Sequence, residues 1–317
     1  MFSQTGAARE PSVQIVDVGL RDGFQPIVPF IPTAQKLAIL NRLHAAGLRR
    51  VEATAFVSDK AVPQLADAAE LLAAAQALPG MDAQVLVPSV RHANRALAAG
   101  ADHIAFVLSV SPKHNMSNVR RTPQESVVEY AEIVEALPPG TRIRLNIATA
   151  FDCPFDGPVA LRETLELMDA LVDIAPGAEI CPCDTTGRVT PDRVADLFGA
   201  AQARFPQVGR WAFHGHDTYG QGVANVMAAW RAGVEVIDAS VGGLGGCPFA
   251  PGATGNVATE DLVWMFQAMN VATGVDLDAL VEVAGTAAAL PGALSGGRVR
   301  EALTARRRMA LTQVAAA

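Results

Sequence analysis

The chain has 317 residues, half of them hydrophobic, which is enough to bury a large core. Its 32 acidic against 25 basic residues leave a formal net charge of −7, which argues against a nucleic-acid partner, since such a partner calls for a basic face. No apolar run approaches the roughly 20 residues that cross a bilayer, so no membrane segment is expected.

Residues 1–12 are polar for the most part and lack an apolar signal core, and they are expected to form a flexible tail on a cytoplasmic protein. From there short β-rich runs alternate with Ala/Leu-rich helical runs. Val13–Val18 reads as a first strand and Ala34–Ala46 as a helix that ends at Gly47. Arg50–Ala55 is a second strand and Ala61–Leu78 a helix. Ala83–Val87, His103–Leu108, Arg142–Ala148 and Ala178–Cys183 read as strands three to six. Helices are expected near Arg91–Ala99, Pro123–Leu137 and Val159–Ile174, and Pro191–Phe205 fills the place after strand six. Trp211–His214 and Val234–Ala239 are strands seven and eight, with a helix from about Gln221 to Ala232 between them.

Strands separated by helices are parallel, because each parallel connection needs a crossover, and eight of them fit a closed TIM (β/α)₈ barrel rather than an open doubly wound sheet. Residues 13–317 are expected to be one catalytic domain. From about 259 a helical extension follows, Thr259–Met269, Asp276–Leu290 and Gly297–Ala317, placed to cap the barrel or to form a contact in a homo-oligomer, a dimer or higher. The four cysteines, Cys153, Cys181, Cys183 and Cys247, make no C-x-x-C pair, so neither a structural zinc site nor a disulfide framework is expected.

In a TIM barrel the active site lies at the C-terminal ends of the strands. Arg21 and Asp22 follow strand one, Glu52 lies within strand two, Asp184 closes strand six, and His214 and His216 close strand seven. A glycine-rich run with Cys247 follows strand eight, and Asn256 stands just beyond it. The i, i+2 spacing of His214 and His216 puts both imidazoles on one face of an extended segment, the spacing of two ligands to one ion, although so short a pattern, taken alone, more often marks two histidines in a polar loop. Strands one, seven and eight are neighbours in a closed barrel, so Asp22, His214, His216 and Asn256 can converge on one ion. That mixed nitrogen and oxygen set, with open positions, suits Mg²⁺ or Mn²⁺. Arg21 is either a surface charge or an oxyanion donor. Glu52 in an apolar strand needs a partner, for which Arg21 is the obvious choice, whether the pair is structural or functional. Cys247 is either a small buried residue or a thiol brought to the substrate by a mobile loop.

Five stretches then carry a resemblance: Val18–Gln25, Val51–Ser58, Val62–Gln64, His214–Gln221 and Gly245–Asp261. They resemble the 3-hydroxy-3-methylglutaryl-coenzyme A lyases, metallolyases on a TIM barrel, over about Val13 to Leu280. The resemblance implies a carbon–carbon lyase that performs a retro-aldol cleavage of an acyl-coenzyme A thioester to acetyl-coenzyme A and a keto acid such as acetoacetate. It implies metal ligands at Asp22, His214, His216 and Asn256, an enolate-stabilising Arg21, an acid–base Cys247, and acidic residues near the substrate at Glu52 and Asp184. Leu20, Pro26–Pro32, Pro112, Cys181-Pro182-Cys183 and Gly296-Gly297-Arg298 depart from the family pattern, around the site rather than in it. Citramalyl-coenzyme A or another branched 3-hydroxyacyl thioester is the first alternative substrate, and a condensing acyltransferase the second alternative reaction.

Overall fold

The computed structural model describes residues 12–246 and 255–315. Cys247 and residues 1–11 of the expected tail lie outside them. Eight parallel strands close into a barrel: β1 Gln14–Asp17, β2 Arg50–Ala55, β3 Asp82–Val87, β4 His103–Ser109, β5 Arg142–Ala148, β6 Glu179–Asp184, β7 Ala212–Gly215 and β8 Val236–Ala239. Around the circle β1 lies between β2 and β8, and β8 lies beside β7. The register sets Cys183 beside His214, His214 beside Asp238, and Asp238 beside Val16.

Alternation along each strand sorts the side chains. Ile104, Phe106 and Leu108 of β4 and Ile143, Leu145 and Ile147 of β5 join the large apolar cluster shared with the surrounding helices. The residues between them point inward, and several are polar and buried: Arg50, Glu52, Gln84, His103, Arg144, Asn146 and Asp238. TIM-barrel interiors are mostly filled by branched apolar side chains, so an interior this polar needs an account in terms of partners.

Local structure departs from the sequence expectation in three places. The expected helix Ala61–Leu78 is a 3₁₀ turn, Pro63–Leu65, followed by a helix over Ala68–Gln76. The break is tertiary in origin. The Gln64 amide turns away to accept from Ile31 N and donate to the carbonyls of Ile27 and Pro29, tying down the loop after β1. The expected helix Val159–Ile174 is shorter, Leu161–Asp169: a hairpin of Asp152–Cys153 with Gly157–Pro158 takes up the chain before it, and turns replace its end over residues 170–174. A helix over Pro112–Val119 was not expected. Ser111 caps it by accepting from His114 N at 3.2 Å.

The three C-terminal helices, Thr259–Ala268, Leu277–Ala288 and Val299–Ala315, pack on the barrel and on each other. Asp261 accepts from the backbone of Arg298 and Val299, which anchors the start of the last helix. No described helix is long and apolar enough to cross a membrane.

Candidate active site

The Arg-Asp segment is shaped by a π-helical turn over Gly19–Gly23, a local form often found at functional sites. Asp17 holds its start by accepting from Gly19 N at 2.9 Å, and accepts from Thr259 Oγ1 at 2.6 Å. A Cβ on Gly23 would meet Ser240 Oγ at 2.7 Å and Leu244 Cβ at 3.0 Å, so only glycine lets this turn press against the segment after β8. That contact brings β1, β7 and β8 to one corner of the C-terminal mouth.

There Asp22, His214 and His216 offer ligating atoms that all lie within 4.8 Å of one another. The Nε2 atoms of His214 and His216 are 3.2 Å apart, and Asp22 Oδ2 is 3.8 Å from His216 Nε2. Neighbouring ligands on an octahedral ion with bonds of about 2.1 Å lie about 3 Å apart, so the spacing fits a small divalent cation. Asn256 joins the group. It donates to Asp22 Oδ2 at 2.7 Å and to the Leu244 carbonyl at 3.1 Å, while its own buried Oδ1 has no partner. In this structure the amide nitrogen, a donor, faces Asp22, so the buried and unpartnered Oδ1 would ligate a cation once the amide turns over. A Cβ on Gly255 would lie 2.5 Å from the Gly245 carbonyl carbon, so glycine allows the close approach that sets Asn256 here.

The electrostatics of Asp22 and His216 agree with ligation, whereas at His214 burial is outweighed by Asp238 and Asp22, which raise its pKa, so an ion binding there competes with a proton. Burial works against the charge on Asp22, but Arg21 and the two histidines outweigh it and hold the carboxyl well below its usual range. Burial, with the nearby charges of His214 and Arg21, lowers the pKa of His216 and favours the neutral, ligating form. His214 is oriented from behind: Asp238 Oδ2 faces its Nδ1 at 3.0 Å and also accepts from Arg144 at 2.7 Å. With Nδ1–H directed at a carboxylate, Nε2 of neutral His214 presents a lone pair to the triad.

Arg21 lies beside the triad. Its Nε donates to Glu52 Oε2 at 2.6 Å, and its guanidinium also pairs with Asp22. Glu52, fully buried on β2, therefore has the partner that its position demands. Asp184 sits at the end of β6, where Oδ1 accepts from Gly187 N at 3.0 Å and Oδ2 is buried without a partner. Burial pushes its pKa up to about 7. Among the described residues no hydrogen bond links it to the triad. It braces the loop that leads away from β6.

Asp238 and Arg144 do not figure among the site residues expected from sequence. The signal that singled out Glu52, a charge inside an apolar strand, is present for both, in Val236–Ala239 and in Arg142–Ala148. Sequence does not reveal that they meet, because they stand 94 positions apart.

The fold and this donor set define a (β/α)₈ barrel with a triad able to hold a metal ion at its C-terminal mouth. The HMGL-like family model matches residues 12–286, and the chain belongs to that family. It is 41% identical over 271 residues to the mitochondrial hydroxymethylglutaryl-CoA lyase of Bos taurus, covering 85% of this chain and 83% of that one. It is 40% identical over 270 residues to the Arabidopsis thaliana enzyme of the same name, of whose longer chain the match spans 57%. The structure of an HMG-CoA lyase from Acinetobacter baumannii, in complex with coenzyme A and 3-methylmalate, superimposes with a TM-score of 0.85 at 36% identity, covering 92% of this chain and 95% of that one.

Proposed function

We propose that the chain is a divalent-metal-dependent carbon–carbon lyase that cleaves 3-hydroxy-3-methylglutaryl-coenzyme A, by a retro-aldol step, to acetyl-coenzyme A and acetoacetate. The observation that carries the reading is the juxtaposition of a cation-sized triad with a buried-side arginine at the same mouth. Family membership and the names of the relatives support it.

Asp22, His214, His216 and Asn256 would hold the ion. When bound, Mg²⁺ or Mn²⁺ supplies a Lewis acid and a template for the substrate's oxygens. The reaction balances without a redox partner. The 3-hydroxyl loses its proton and becomes the ketone of acetoacetate. The bond between C2 and C3 breaks, and its electron pair passes to the thioester half as an enolate. Arg21 is placed to stabilise that oxyanion. Glu52 fixes its guanidinium from behind, so the donor is preorganised for charge that develops only as the bond breaks. A proton on carbon then completes acetyl-coenzyme A, and Cys247 is our candidate donor. Asp184 acts at one remove, by shaping the β6 loop.

The test is direct. Chelator should abolish release of acetyl-coenzyme A, and Mg²⁺ or Mn²⁺ should restore it. Full turnover in metal-free protein defeats the reading. A thioester panel that includes citramalyl-coenzyme A decides the acyl group, and consumption of acetyl-coenzyme A with a 2-keto acid would point to the condensing reaction. We also place the reaction in the cytoplasm, as in the relative from Rattus norvegicus named cytoplasmic, and expect a dimer or higher assembly, to be checked by fractionation and sedimentation.

A further inference from the structure

Beneath the triad, the inward side chains of β3, β4 and β5 form the opposite half of the mouth. Leu86 and Val107 are partly exposed there, and Asn146 is 7% exposed. One layer further in, Arg144 and Cys181 are fully buried. The mouth therefore ends on a floor that includes Leu86, Val107 and Asn146, with Cys183 of β6 between Asn146 and His214.

The amide is held in one orientation. Its Oδ1 accepts from Arg144 Nε at 2.8 Å. A guanidinium can only donate, so the oxygen must face Arg144 and the Nδ2 group must face the other way. The same Arg144 donates at 2.7 Å to Asp238, which orients His214. One buried cation thus fixes both a triad histidine and the floor amide. Among the described residues Asn146 Nδ2 donates no hydrogen bond. A rigid, donor-only group with slight access to solvent, beside Leu86 and Val107, is suited to an acceptor oxygen carried by a small apolar skeleton. Strands β5 and β7 are two places apart, about 10 Å, which a short acyl group held at the triad can reach.

We propose that Asn146 is a specificity-determining residue. Its Nδ2 donates to a carboxylate or carbonyl oxygen of the acyl group, while Leu86 and Val107 receive the alkyl substituent. The inference rests on the lyase reading and adds to it the residues of this chain that would read the far end and the alkyl branch of the acyl group.

The full-length protein and its Asn146→Asp and Asn146→Leu variants test this. Mn²⁺ affinity without substrate is read by electron paramagnetic resonance. The kinetic constants kcat and KM are read for 3-hydroxy-3-methylglutaryl-coenzyme A and for the analogue with methyl in place of the terminal carboxylate. Loss of one hydrogen bond to a charged group predicts a fall in kcat/KM of roughly 10–100-fold for the carboxylate substrate in both variants. Mn²⁺ affinity should stay unchanged, and the leucine variant should lose the preference for the carboxylate. Parent-like kcat/KM in either variant overturns the inference and leaves the lyase reading standing. So does a loss of Mn²⁺ affinity as large as the loss of kcat/KM, which would mark Asn146 as structural. A parent that binds Mn²⁺ but cleaves no thioester overturns the lyase reading and, with it, this inference.

Discussion

At the N-terminal mouth of the barrel the fully buried Arg50 donates to both oxygens of Glu179, at 2.7 and 2.9 Å, and to Gln84 at 2.8 Å, while Asp82 joins His103 and Arg142. At the C-terminal mouth the polar groups are as buried, but Asn256 Oδ1 lacks a partner, and Asp22, His214 and His216 turn their ligating atoms toward one another. Burying polar groups without partners costs free energy, which an ion bound at the triad would offset. The first cluster closes on itself and holds the barrel together. The second is complete only with a ligand. This matches the division of labour in TIM barrels, where the N-terminal face serves stability and the C-terminal face activity.

Substitutions at the two mouths should separate those roles. Arg50→Met leaves Glu179 buried without its main partner, and breaking such a pair costs about 3–5 kcal/mol. Denaturant unfolding should show that loss, while turnover per folded molecule stays the same. Reduced turnover with unchanged stability would break the comparison. Arg21→Met at the other mouth should do the opposite. Loss of one preorganised donor to a developing oxyanion costs roughly 10²–10³ in kcat, with Mn²⁺ affinity retained. A near-parental rate would make Arg21 a purely structural partner of Glu52.

Asp238→Asn tests whether the layer behind the triad belongs to the functional end. Removing the carboxylate that orients a ligating histidine should weaken Mn²⁺ binding about 10–100-fold. Equal affinity would assign Asp238 to the structural network that Arg144 shares with Glu179. The smallest effect concerns Glu260, buried near the site, whose pKa burial raises from 4.5 to about 7. Between those values the folded state binds more protons than the unfolded one, so stability falls as pH rises through the window. Glu260→Gln should flatten that fall, by on the order of 1 kcal/mol, in unfolding curves taken from pH 5 to 8. A slope identical to the parent's would place the titration elsewhere.

Some of this was legible in the chain. Strands Arg50–Ala55 and Arg142–Ala148 have the bounds that their residue pattern suggests, because a turn glycine or a helix end precedes each and the apolar positions alternate. The helix expected at Ala61–Leu78 breaks because Gln64 satisfies the backbone of residues 27–31, a contact no local pattern encodes.

By itself, then, the sequence determined the alternation of strands and helices, the closed count of eight, and the residue types of the triad, since periodicity and short spacings are local properties. The tertiary structure alone decided which buried charges meet. It joined Asp22 to Asn256 across 234 positions, His214 to Asp238, and Arg144 to both Asp238 and Asn146. Those pairings follow from strand register and barrel closure, which place side chains from distant segments within hydrogen-bond reach and leave the buried charges no water to turn to instead.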